Sequence, residues 1–136
     1  MESKESGQIK DLSVLVIDDD RNLLSLIEAV LKMHYPIKNL DIGQHGEDLL
    51  TLASNRAYDL IISDNNNNLN KMNGIDAIKK LRKLGNTTPT IMMSGKYSRE
   101  ILDYASDPEN GVDFIEKPFD IPMLRSKIDK IYAPPI

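Results

Sequence analysis

The chain has 136 residues, 40% of them hydrophobic and 28% charged, which suits one globular domain with a real core rather than a disordered segment. Its net charge of −4 argues against non-specific nucleic-acid binding, and the absence of cysteine excludes disulfides, a thiolate nucleophile and a zinc–sulfur site. No apolar run approaches the length of a membrane span, and the opening "MESKESGQIKD" lacks the apolar core of a signal peptide, so a soluble cytoplasmic protein is expected.

Residues 1–11 are polar and read as a mobile tail. "LSVLVI" (12–17) is a short β-branched strand. "RNLLSLIEAVLKMH" (21–34) carries Leu23, Leu24, Ile27, Val30 and Leu31 at helical spacing. "IKNLDI" (37–42) is a weaker strand, and "GEDLLTLASNR" (46–56) a helix with Leu49, Leu50 and Ala53 on one face. "YDLIIS" (58–63) is a strand, and "GIDAIKKLRKL" (74–84) a helix ended by Gly85. "TIMMS" (90–94) is a strand, followed by a short helix, "SREILDYAS" (98–106), with Ser98 as its N-cap. "VDFIE" (112–116) is a strand, and "IPMLRSKIDKIY" (121–132) a last helix that tolerates Pro122 in its first turn. The final "YAPPI" reads as a stop or the start of a linker.

This is βα repeated five times, an α/β pattern in one domain over 12–132. Alternation with short connections implies a parallel sheet covered by helices on both faces, a doubly wound (βα)5 fold. Ligands of such sheets sit beyond the carboxyl ends of the strands. There the sequence places Asp18-Asp19-Asp20, Asp64, Ser94-Gly95 and Lys117-Pro118. Clustered acids repel unless a cation joins them, and Mg²⁺ suits one or two carboxylates plus waters and phosphate oxygens. Lys117 adds a fixed positive charge and Ser94 a donor, so the rim could hold a phosphoryl group. Singly, each residue has a plainer use. Asp20 suits a helix N-cap, Asp18 and Asp19 suit the positive end of the first helix, Ser94 suits a turn, and Lys117 suits solvent. Their joint placement at four strand ends favours a site. His34 and His45 are isolated, and Met92 and Met93 read as core filler.

These residues resemble the receiver domain of two-component response regulators, including the chemotaxis receivers. The resemblance runs from about Leu12 to Tyr132 and rests on "VLVIDDD", "GEDLLTLASNRAYDLIISD", "MNGIDAIKKLRK", "TIMMSG" and "DFIEKPFDIPML". It implies a flavodoxin-like sheet of order 2-1-3-4-5. It implies that Asp64 is the phosphoacceptor, that Asp19 and Asp64 ligate Mg²⁺ (Mn²⁺ as a substitute), that Asp18 acts through water, and that the Asn66 backbone carbonyl is a further ligand. Ser94 becomes the switch hydroxyl, Lys117 the partner of the phosphoryl group and Phe114 the switch aromatic. A cis Lys117–Pro118 peptide is implied as well. The implied donor is a histidine kinase or phosphotransfer protein, and the implied readout is the face of helix four, strand five and helix five, presented to an output domain or partner. In that role the domain assists its own modification and slow dephosphorylation and is not a turnover enzyme. It contacts neither nucleic acid nor membrane itself.

Two features depart from the family pattern. Gly74 follows Asp64 two residues later than usual, without the usual Met-Pro, and Gly95 stands where alanine is common. The competing readings are a pseudo-receiver that only binds proteins and a small phosphohydrolase on a similar sheet. The intact acids, serine and lysine disfavour the first. Asn66, where a second catalytic aspartate would stand, disfavours the other.

Overall fold

The structure, a computed structural model, describes residues 11–65, 71–95 and 98–132. Residues 1–10 of the expected tail at 1–11, the tail at 133–136, and Asn66 within the asparagine run lie outside the described residues. Five strands and five helices alternate: β1 (Leu12–Ile17), α1 (Arg21–His34), β2 (Ile37–Gly43), α2 (Gly46–Asn55), β3 (Leu60–Asp64), α3 (Gly74–Lys83), β4 (Thr90–Ser94), α4 (Arg99–Ala105), β5 (Val112–Glu116) and α5 (Ile121–Ile131). All four strand pairings are parallel, in the order β2-β1-β3-β4-β5, which is the expected 2-1-3-4-5 arrangement.

Strand side chains alternate between two cores because successive Cβ atoms point to opposite faces. Val14, Val16, Leu60, Ile62, Ile91, Met93 and Ile115 pack under Ile27 and Leu31 of α1 and Leu124 and Ile128 of α5. Leu15, Ile17, Ile61 and Met92 pack under Leu49 of α2, Ile75, Ile78 and Leu81 of α3, and Ile101 of α4. Met92 and Met93 are therefore core residues on opposite faces. Burial on both faces explains why the central strands read as continuous apolar runs.

The element ends differ from the sequence reading by a residue or two. β3 begins at Leu60 rather than Tyr58, because Asp59 uses its carboxylate to accept the Ser13 N–H (2.9 Å). It also runs on through Asp64, which pairs in register with Met93. Ser98 is outside α4 and caps it by accepting the Ile101 N–H, as Asp20 caps α1 through the Asn22 and Leu23 N–H groups. A 3₁₀ turn at Pro108–Asn110, capped by Asp107, was not legible as an element, and it ends at Gly111 in the left-handed region (φ 65°).

Arg82 on α3 ties the turn before β4 to the turn before β5, with no carboxylate partner among the described residues. Its guanidinium donates to the carbonyls of Asn110 (2.7 Å), Thr88 (2.8 Å), Asn86 (3.2 Å) and Gly111 (3.3 Å). Only a planar fork of donors serves that many fixed acceptors, and lysine does not reproduce it. Arg82→Lys should therefore lower unfolding stability by about 2 kcal/mol, read from the midpoint of a urea titration at unchanged slope.

Candidate functional site

At the carboxyl rim, β1 and β3 are neighbours, and their ends bring Asp18, Asp19 and Asp64 together. One carboxylate oxygen from each lies within 4.8 Å of the other two. Asp18 is fully buried. Its Oδ1 accepts the Asp20 N–H (2.8 Å), which shapes the turn into α1, and its Oδ2 accepts from Lys117 Nζ (2.8 Å). Lys117 Nζ also reaches Asp64 Oδ1 at 3.0 Å. Asp19 is exposed at the mouth.

Lys117 arrives from beyond β5. Its N–H donates to the Ser94 carbonyl (2.8 Å), extending the β4–β5 ladder by one rung. The Lys117–Pro118 peptide is cis. Ser94 ends β4 and is buried beside this ladder. Phe114 lies on β5 opposite Met92 and is half-buried against the α2–α3–α4 core. The structure thus brings Asp18, Asp19, Asp64 and Lys117 into one cluster, with Ser94 at its edge and Phe114 on the neighbouring strand.

Among the described residues the charges of the cluster do not balance. Three acids face one ammonium among the described residues. Burial raises the Asp64 carboxyl pKa above its ordinary value, Lys117 pulls it back, and Asp18 pushes it up again. For Lys117, burial pulls the ammonium down, but its hydrogen bonds to Asp18 and Asp64 outweigh this and leave it raised. The two directions agree: lysine gains two acids, whereas Asp64 gains one lysine and meets two acids. A hard cation fits this donor set, since it offsets charge that Lys117 alone does not.

Asn65 escaped the sequence reading because it looks like the first of four equal asparagines. It is 4% exposed, and it binds β4 and α3 through three hydrogen bonds described below. Its only available sequence signal is position, directly after an acid that ends a buried strand. Further on, Met72 is held by α2: its carbonyl accepts the Gly46 N–H (3.1 Å), and its N–H donates to Glu47 Oε2 (3.1 Å).

Comparison with known proteins then decides the family. Residues 14–129 match the response regulator receiver domain. The chain belongs to the response regulator receiver family. The response regulator ArlR of Staphylococcus aureus is 34% identical over 122 residues, covering 87% of this chain and 51% of that protein, so the receiver chain spans about half the length of the curated relatives it matches. The receiver domain of the Francisella response regulator 1452 is 28% identical with a TM-score of 0.69, covering 90% of this chain and 97% of that one. The chemotaxis protein CheY4 of Vibrio cholerae, at 22% identity and a TM-score of 0.72 over 90% and 99% of the two chains, shares the fold. Receiver domains are signalling domains, and the family typically binds Mg²⁺ through acidic residues and interacts with histidine kinases or phosphotransfer proteins. No helix among the described residues is long and apolar enough to cross a membrane.

Two expectations follow from the geometry of this receiver. Because the raised pKa of Asp64 marks a carboxylate that burdens the fold when ionised, its protonated form favours folding in acid, and that support is lost as pH rises through the folded-state value. Asp64→Asn should therefore raise Tm at pH 7 without added metal, and the gain should vanish below about pH 4, where both side chains are neutral, as read by thermal melts across pH. Gly95 has no left-handed φ, and a Cβ there would meet nothing within 4 Å. Gly95→Ala should then raise stability by about 0.5 kcal/mol through the unfolded chain, measured by urea denaturation.

Proposed function

We propose that the domain over residues 12–132 accepts a phosphoryl group on Asp64 from the phosphohistidine of a histidine kinase or phosphotransfer protein. The observation that supports this most is the cluster of three carboxylates within 4.8 Å with Lys117 bonded to two of them. In the step proposed, an Asp64 carboxylate oxygen attacks phosphorus, a P–O bond forms as the P–N bond breaks, and the imidazole leaves with the electron pair. Lys117 is placed to stay with Asp64 while moving its second bond from Asp18 to a phosphoryl oxygen. Ser94 supplies a hydroxyl at the adjacent strand end.

Asp19 and Asp64 would hold Mg²⁺ (or Mn²⁺) with the Asn66 carbonyl, a residue outside those described. Both Asp18 oxygens already accept hydrogen bonds, which suits a role through water. The ion, when bound, supplies neutralisation of phosphoryl charge. Acyl phosphate formation at Asp64 draws Ser94 towards the phosphoryl group and turns Phe114 further inward. The face of α4, β5 and α5 then changes its preference for an output domain or partner. The domain works as a switch rather than as a turnover enzyme, from the cytoplasm, without touching nucleic acid or membrane itself.

Incubation with acetyl phosphate and Mg²⁺ should add one phosphoryl group to the wild type and none to Asp64→Ala, read by intact-mass spectrometry. Beryllofluoride with Mg²⁺ should shift the amide signals of Ser94 and Phe114. A wild type that stays unmodified and unshifted would mean a receiver that acts only as a protein-binding module.

A further inference from the structure

The geometry points to Asn65 as a positioning residue that fixes Asp64 against α3 and makes the site independent of the long connection that follows. This rests on the reading of Asp64 as the phosphoacceptor. Three hydrogen bonds carry it. The Asn65 N–H donates to the Met93 carbonyl (3.0 Å), which continues the β3–β4 ladder past Asp64. The Asn65 carbonyl accepts the Gly74 N–H (2.9 Å). The side-chain Oδ1 accepts the Ile75 N–H (3.0 Å), and this last bond is buried.

Gly74 and Ile75 are the first two residues of α3, whose N–H groups have no partner within the helix. The local cap, Asn73, accepts only the third, from Asp76 (3.0 Å). The strand therefore caps the helix from a distance of nine residues in sequence. The packing is equally close: a Cβ on Gly74 would stand 2.6 Å from the Asp64 carbonyl oxygen and 2.9 Å from Ser63 Oγ. With α3 seated on the backbone of Asp64, residues 66–73 leave from and return to fixed points. The return is fixed again where Met72 binds Gly46 and Glu47. The anchors at Asn65 and Met72 then hold Asp64 in place whatever the length of chain between them. An apolar residue at 65 would keep the two backbone bonds and lose the one to Ile75, leaving a buried N–H unpaired.

In the wild type, hydrogen exchange at the Ile75 amide should be as slow as at the amides of β3; exchange at the rate of an open helix end would overturn the assignment. Asn65→Leu should weaken Mg²⁺ binding about tenfold, read from the metal-dependent shifts of the Asp18 and Asp19 amides. With two residues deleted between Asn66 and Asn70, the same substitution should change Mg²⁺ affinity by no more than about twofold. An equal loss in both loop lengths would show a merely structural role and overturn the proposal, as would an unchanged affinity in the full-length loop. These readings need no phosphoryl transfer, so they stand apart from a failure of acetyl phosphate to modify Asp64.

Discussion

The double bond of Lys117 to Asp18 and Asp64 is the interaction on which the carboxyl rim depends. Asp18 is fully buried and Asp64 nearly so, and like charges at such spacing repel strongly where water is excluded. One ammonium offsets part of that repulsion. It can do so only because it is delivered from β5, across β4, to the junction of β1 and β3. The register Ser94 to Glu116 and the next rung from Lys117 N–H to the Ser94 carbonyl fix its starting point. A surface lysine on a free loop would lose its geometry to side-chain entropy, and its contribution would fall to that of an ordinary exposed pair.

The sheet makes this arrangement rigid enough to last. Apolar side chains fill both of its faces, so a strand end cannot slide without exposing one core and overfilling the other. α3 adds a second restraint. It sits so close to the end of β3 that only a residue without a side chain fits at position 74, and α2 approaches just as closely at Gly46, where a Cβ would lie 2.5 Å from the Met72 carbonyl oxygen. These two glycines act through space rather than through backbone freedom, since neither has a left-handed φ. The helix pair α2–α3 thus brackets the chain on its way back from the rim.

Membership of the receiver family fits a site at the carboxyl rim of this fold. The acids, Lys117 and the cis Lys117–Pro118 peptide meet at that rim. The buried carboxamide of Asn65 directly after Asp64 adds a cap for the helix that starts nine residues on. That cap follows from the local chemistry of asparagine, whose side-chain carbonyl can replace a backbone acceptor.

Much of the architecture was legible in the amino-acid sequence. Alternating periodicities fixed ten elements in order, because a buried strand and an amphipathic helix impose different spacings on apolar residues. The four strand ends pointed to Asp18, Asp19, Asp64, Ser94 and Lys117 only jointly, since each alone has a plainer use and it is their convergence on one rim that favours a site. What the tertiary structure decided is everything that depends on distance across the chain. Whether β3 stops at Ser63 or carries Asp64 in register with Met93 is settled by the neighbouring strand, not by the residue itself. That Arg82 serves carbonyls rather than an acid depends on where the turns before β4 and β5 come to rest. The part played by Asn65 is invisible in a run of identical letters. It exists only because α3 brings the Gly74 and Ile75 N–H groups to it, and a hydrogen bond requires a partner at about 3 Å, which sequence alone does not place.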